Sequence, residues 1–199
     1  MGRSSHYFSP SPDAPSRPST VRLDLPDLSL ALRTDRGVFS RARIDPGTKY
    51  LLTEAPPPPT GGHLADVGCG YGPIALTLAA RSPRATVWAT DVNERALELT
   101  RANAAAAGLA NVRVVRPGEV PADVRLAGVW SNPPVRVGKA ALHDLLDHWL
   151  GRLDTDGTAL LVVQKNLGAD SLHRWLEAGD WSVARLASRA GYRLLEVRR

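Results

Sequence analysis

Ser131-Asn132-Pro133-Pro134 leaves an apolar run, Gly128 to Trp130, that reads as a strand, and the carboxyl end of a strand is where sheet proteins hold ligands. The residue types have a definite chemical use there. An amino group attached to a π system is a poor nucleophile, because its lone pair is delocalised. Two acceptors fixed near its hydrogens reverse that. The side-chain carbonyl of Asn132 and the backbone carbonyl of Pro133 would each take one N–H and steer the nitrogen lone pair toward an electrophile. Pro133 and Pro134 fix φ, so the corner is held ready, and alignment rather than a strong base supplies most of the rate. The same tetrapeptide could also be a bare proline turn, so its neighbours must decide.

Asp66-Val67-Gly68-Cys69-Gly70-Tyr71-Gly72 sits between a short apolar strand and a helix, where the backbone must turn sharply beside a ligand and glycine permits both the turn and the close approach. The next strand ends in Asp91, 23 positions after Gly68, with Val92 beside it. A carboxylate at that offset faces the two hydroxyls of a ribose. This pairing suits a nicotinamide dinucleotide or S-adenosylmethionine alike. The dinucleotide fingerprint leaves two residues before its third glycine, so that a pyrophosphate rests on the helix N-terminus. Here the spacing is Gly-x-Gly-x-Gly and position 73 is proline. S-adenosylmethionine has no phosphate, and Asp66 would suit its ammonium group while repelling a pyrophosphate. The spacing favours S-adenosylmethionine, with Asp66, Gly68, Gly70, Gly72, Asp91, Val92 and, from the neighbouring strand end, Asn132 around it. Gly118-Glu119, past the third strand, falls where the adenine would be held, although a solvated surface glutamate explains that residue as well.

The elements that must position these groups alternate from His63 onward. Strands are expected at His63 to Val67, Ala85 to Thr90, Val112 to Val115, Gly128 to Ser131 and Thr158 to Val163. Helices are expected at Pro73 to Arg81, Asn93 to Ala107, Lys139 to Leu150 and Ala169 to Ala178, and Trp181 to Ala187 with Tyr192 to Val197 would close the sheet around Gly191. Alternation of this kind marks a parallel sheet covered on both faces. Upstream, Val21 to Leu25, Leu28 to Arg33 and Val38 to Arg43 read as a small antiparallel element with a hairpin, Pro46 to Thr53 as a short helix, and Pro56 to Pro59 as a stiff connector. The resulting organisation is a disordered Ser/Pro-rich tail at 1–19, the β element and connector at 20–59, and a catalytic domain at 60–199.

The chain has 199 residues, enough for one substantial core, and a net charge of +5 that mildly favours an anionic partner. Its one cysteine, Cys69, excludes an intrachain disulfide and a thiolate zinc cluster. No apolar run suggests a secretory signal or a membrane span, so a cytoplasmic protein is expected. His143 and His148 are five positions apart and do not share a helix face for a metal, Trp88 and Trp130 read as core, and Cys69 as a small loop filler.

Asp66 to Gly72, Asp91 and Asn132 to Pro134 resemble the motifs of class I methyltransferases that modify exocyclic or amide nitrogen. Gly37-Val38-Phe39-Ser40, Asp45-Pro46-Gly47-Thr48, the run from Asn132 to Gly138 and Gly191-Tyr192-Arg193 extend the resemblance to the "small" methyltransferase family, in order, from about Tyr7 onward. That family includes the bacterial enzyme making N2-methylguanine in small-subunit ribosomal RNA. The resemblance implies an α/β fold, a Rossmann-like doubly wound seven-stranded sheet with an N-terminal β-hairpin. It implies S-adenosylmethionine as cofactor, no metal, and RNA as partner, with guanine N2 of ribosomal RNA as the acceptor. The alternatives are the amide of a protein glutamine, whose methyltransferases share the Asn-Pro-Pro motif, and a non-catalytic RNA-binding module, which would have a decayed glycine loop. Many relatives have an aromatic residue after Asn-Pro-Pro to stack on the base, whereas this chain has Val135; Phe39 is the substitute candidate. The ribosomal enzymes resemble two fused copies of the domain and one copy is present here, so RNA placement would fall to Arg33, Arg36, Arg41, Arg43, Arg136 and Lys139.

Overall fold

The computed structural model describes residues 15–199. The expected N-terminal tail lies outside the described residues up to position 14. From there Ser16 donates to Asp35 Oδ2 at 2.6 Å, and the first strand opens at Ser19.

Two strands, β1 (Ser19–Asp24) and β2 (Ser29–Thr34), pair antiparallel as a hairpin. Helix α1 (Pro46–Glu54) follows, its N-terminus capped by Asp45 and its first turn begun by proline. Then come β3 (Gly61–Val67), α2 (Pro73–Arg81), β4 (Arg84–Thr90), α3 (Glu94–Ala106), β5 (Val112–Val115) and β6 (Leu126–Ser131). The chain closes with α4 (Lys139–Leu150), β7 (Leu153–Gln164), α5 (Ala169–Ala178), β8 (Ser182–Arg189) and β9 (Tyr192–Arg198). The second sheet has seven strands in the order β5-β4-β3-β6-β7-β9-β8. The strands from β5 to β7 run parallel, and β9 is antiparallel to both β7 and β8.

Two apolar clusters lie on opposite faces of this sheet. One holds Leu51 and Leu52 of α1, Ile74 to Ala79 of α2 and Leu97 of α3. The other holds Leu146 and Trp149 of α4 with Leu172 and Leu176 of α5. This is the doubly wound α/β arrangement with an N-terminal hairpin. The hairpin shares the first cluster through Val21, Leu23 and Leu32, so the core continues across the proline run Pro56 to Pro59. Polar contacts add to its docking. Asn103 of α3 pairs with both backbone groups of Arg33, accepting from its N–H at 2.8 Å and donating to its carbonyl at 2.9 Å, and Arg81 forms a two-pronged ion pair with Asp27.

The third upstream strand, expected over Val38 to Arg43, does not form. Gly37 and Ser40 take positive φ angles of 79° and 51°, which no ladder accommodates. The carbonyls there go to tertiary partners instead: Asn93 Nδ2 donates to Gly37 O at 2.7 Å, and the Tyr71 hydroxyl reaches the carbonyls of Ser40 and Arg43 at 3.4 Å each. The segment becomes a lip beside the sheet's carboxyl edge. Among the described residues no helix is long and apolar enough to cross a membrane.

Candidate active site

Chain order turns around β3: the chain runs outward through β4 and β5, then returns to β6 on the other side of β3. Such a switch point leaves a crevice outside the strand ends. Registers fix what meets there. Val67 is level with Thr90, and Asp66 with Trp130, so one or two residues further on Gly68, Asp91 and Asn132 stand side by side. All three line a cavity of about 290 Å³, together with Val38, Phe39, Asp45, Asn93, Pro117, Pro133, Pro134, Val135, Arg136, Gln164 and Tyr192.

On one side the glycine loop is fastened by its own backbone. The N–H groups of Gly68 and Cys69 both donate to Thr90 O at 2.9 Å. Asp91 receives Gly70 N on one carboxylate oxygen and Asn93 N on the other, each at 2.9 Å. Burial raises the pKa of Asp91 above its ordinary value, and those backbone donors pull it back. Thr100 donates to Gly70 O at 2.9 Å and Asn103 to Tyr71 O at 2.8 Å, so α3 holds the loop from behind. Gly68 and Gly70 have positive φ, and a Cβ built on either would meet no atom within 4 Å. Their outer face is therefore open to a ligand. Gly72 needs glycine for a different reason, because a Cβ there would lie 2.7 Å from Leu76 Cδ1 at a φ of 94°. Tyr71 is buried, its hydroxyl turned under the 40–43 lip, and it does not line the cavity.

On the other side, both donors of the Asn132 amide are engaged. Its Nδ2 donates to Asp45 Oδ2 at 2.8 Å and to Thr48 Oγ1 at 3.1 Å, which leaves the side-chain carbonyl as its remaining polar group. Pro134 has φ −75° and ψ 70°, the inverse γ-turn, and Val135 N donates across it to Pro133 O at 2.8 Å. The Pro133 carbonyl keeps one lone pair, its direction fixed by that ring as well as by proline's φ. Phe39, 41% exposed, and Arg136 stand at the margin. Arg136 is the one basic residue on the cavity wall among the described residues, so the wall around Asp91 offers a carboxylate and no cation for a phosphate.

The structure brings Phe39, Gly68, Gly70, Asp91, Val92, Asn132, Pro133, Pro134, Val135 and Arg136 together on the cavity wall. Four expected site residues are elsewhere. Asp66 is fully buried beneath the loop, where one oxygen accepts Ala75 N at 2.8 Å and the other has no partner; burial pushes its pKa up to about 8, the Asp91 charge contributing. It anchors α2 and is not on the wall. Gly72 caps α2 from behind the loop. Glu119 turns back to accept Arg116 N at 2.8 Å, and Pro117 lines the cavity in its place. Lys139 is an exposed residue opening α4. Asp45, Thr48, Asn93, Gln164 and Tyr192 went unassigned to the site from sequence. Their signal is in the sequence for Asp45 and Thr48, inside Asp45-Pro46-Gly47-Thr48, which reads locally as a helix start, and for Tyr192, inside Gly191-Tyr192-Arg193. His143 stacks on Trp175 at 3.9 Å, and the Cys69 thiol, buried beside Thr100 at 3.6 Å, is raised in pKa by burial.

Residues 29–196 match the family described as methyltransferase small domain. The chain is 33% identical over 199 residues to the uncharacterized protein YbxB of Bacillus subtilis (strain 168), covering 98% of this chain and 99% of that protein. It is 32% identical over 192 residues to the ribosomal RNA small subunit methyltransferase C of Pseudomonas aeruginosa (strain LESB58), covering 94% of this chain and 57% of that protein, so it spans little more than half of this ribosomal relative. Among solved structures, the T. thermophilus 16S rRNA N2 G1207 methyltransferase (RsmC), in complex with AdoMet and guanosine, superposes with a TM-score of 0.78 at 22% identity, covering 94% of this chain and 52% of that one.

Proposed function

The chain belongs to the methyltransferase small domain family and is an S-adenosylmethionine-dependent methyltransferase, and on that premise we propose that its acceptor is the exocyclic N2 amine of a guanine in ribosomal RNA. The observation that supports this reading is the corner at Asn132 and Pro133 on the wall beside the glycine loop, whose two carbonyls would take the two hydrogens of one amino group. Relatives named for small-subunit ribosomal RNA support the choice of acceptor. RNA as substrate goes with a cytoplasmic enzyme.

The wall residues fit the cofactor. Asp91, both oxygens already aligned by backbone N–H groups, would take the ribose hydroxyls with its remaining lone pairs. The open faces of Gly68 and Gly70 would admit the methionine part at van der Waals distance, and Val92, Ala96 and Pro117 offer apolar surface to the adenine. S-adenosylmethionine supplies an electrophilic methyl group on a sulfonium. Asn132 and Pro133 would accept the two N–H groups of the acceptor, so that the nitrogen lone pair faces the glycine loop. The methylated nitrogen is cationic and gives its proton to solvent, so the site needs no strong base. Phe39 would stack on the base in place of the aromatic residue that Val135 replaces, and Arg136 would meet the backbone phosphate. Within the chain, we assign 60–199 as the catalytic domain and 20–59 as the element that supplies Phe39 and Asp45.

The test is labelled methyl transfer to small ribosomal subunits from cells lacking the protein, followed by nuclease digestion and mass spectrometry of nucleosides. N2-methylguanosine is the expected product. Label that survives nuclease and is lost to protease would replace this acceptor with a protein amide.

A further inference from the structure

The Asn132 amide is useful in one of its two orientations only. With the carbonyl toward the acceptor it takes an N–H; turned over, it would set its own N–H against the acceptor's, and the lone pair would no longer be steered. Proline geometry fixes the backbone at Asn132 and leaves the side-chain amide free to choose. Something else must choose for it.

We propose that Asp45, assisted by Thr48, is the positioning residue that fixes the orientation of the Asn132 amide. Asp45 Oδ2 already accepts Thr48 N at 3.0 Å, so the atom that faces it at 2.8 Å is the amide nitrogen. Thr48 Oγ1 takes the second N–H at 3.1 Å, which leaves no donor for the cavity side. Asp45 is itself held. That bond from Thr48 N is the cap of α1, so the carboxylate is fixed to the helix start. That end of α1 is seated against the sheet, because Gly47 lies so close to the Tyr192 ring that a Cβ on it would be 2.7 Å from Tyr192 Cε1. The chain of support runs from β9 through α1 to Asp45 and then to Asn132, bridging 87 positions of sequence.

This inference rests on the assignment of Asn132 as the acceptor-binding residue, and its test separates the two. Asp45→Ser keeps a good helix cap but is too short to reach Asn132. It is expected to unfold at nearly the wild-type temperature, to bind S-adenosylhomocysteine as wild type does in calorimetry, and to lose roughly 10- to 100-fold in kcat, as the loss of a supporting partner does. Asp45→Asn presents a carbonyl where Oδ2 stood and should recover most of that turnover. In ¹⁵N-labelled protein the side-chain amide signals of Asn132 should shift and lose exchange protection in Asp45→Ser and hold in Asp45→Asn. Amide signals indifferent to Asp45→Ser would overturn the proposal, as would full turnover in Asp45→Ser, or an Asp45→Asn as impaired as the serine variant. Should the wild type transfer no methyl group to RNA, the acceptor reading fails alone, and the amide signals still decide whether Asp45 orients Asn132.

Discussion

The two sides of the cavity are built in opposite ways. Around the glycine loop nearly every polar group is tied to another part of the same wall: Gly68 and Cys69 to Thr90, Gly70 and Asn93 to Asp91, Thr100 and Asn103 back to the loop carbonyls. Across from it, the corner at Asn132 depends on elements far away in sequence, α1 and the 38–43 lip, and its margin carries exposed side chains, Phe39 and Arg136. The first side is assembled from β3, the loop, the end of β4 and α3, all within residues 61–106. The second joins the start of α1 to the end of β6 across 87 positions of sequence. A ligand common to many reactions suits the self-contained wall, and an acceptor that differs between relatives suits the composite one.

Four measurements would sharpen or break that contrast. The largest effect is expected at the composite side: Asn132→Ala should cut turnover by about 10²- to 10³-fold, the cost of removing one aligned polar group from a developing charge. Its affinity for S-adenosylhomocysteine in calorimetry should be unchanged. If binding falls with turnover, the two walls are not independent. Next, Asp91→Ala should weaken cofactor binding by about 1.5–3 kcal/mol, the range for a hydrogen bond to a charged group. Because both carboxylate oxygens also hold backbone donors, part of that loss should be restored by Asp91→Asn, with calorimetry as the readout. Phe39→Ala should then cost about 1–3 kcal/mol of acceptor binding, as removal of a stacking platform does, seen as a raised KM for RNA with kcat little changed.

The fourth measurement concerns stability rather than turnover or binding. The folded state keeps the Asp66 proton up to about pH 8, whereas the ordinary carboxylate value is 3.8. Between those values the folded protein binds more protons than the unfolded chain, so stability falls as pH rises and levels off above the upper one. Asp66→Asn can still accept Ala75 N and should flatten that decline in Tm between the two limits. A wild-type Tm that rises over this range would show that Asp66 is ionised in the folded protein.

The same contrast explains what could be read in the sequence. Helices α2, α4 and α5 begin and end where proline, glycine and apolar spacing mark them, because their limits are set locally. The glycine loop and Asp91 were legible for the same reason: their spacing is their geometry. The extended reading of Val38 to Arg43 fails because Ser40 and Arg43 close a local turn whose carbonyls also face the Tyr71 hydroxyl, while Asn93 takes the carbonyl of Gly37 just before it. Glu119 was expected beside the cofactor and instead closes its own turn, since a carboxylate three residues from a free N–H finds that partner first. The place of Asp66 in the motif suggests a ligand group. Its burial depends on how α2 packs over the loop, which no spacing shows. Asp45 and Thr48 were visible as a helix start, and their bond to Asn132 across 87 and 84 positions was not.

The small hydrogen-bonded ring at Pro134 closes through backbone atoms alone, from Val135 N to Pro133 O. The side chain at 135 takes no part in it. On the proposed assignment of this corner to the acceptor, mutation at that position would retune which molecule is welcomed without disturbing the angle at which its nitrogen is offered, so that selectivity and catalytic geometry would be separately heritable. A lineage could drift between recipients while its reaction stays intact, and the valine here is the kind of exchange that such an arrangement tolerates.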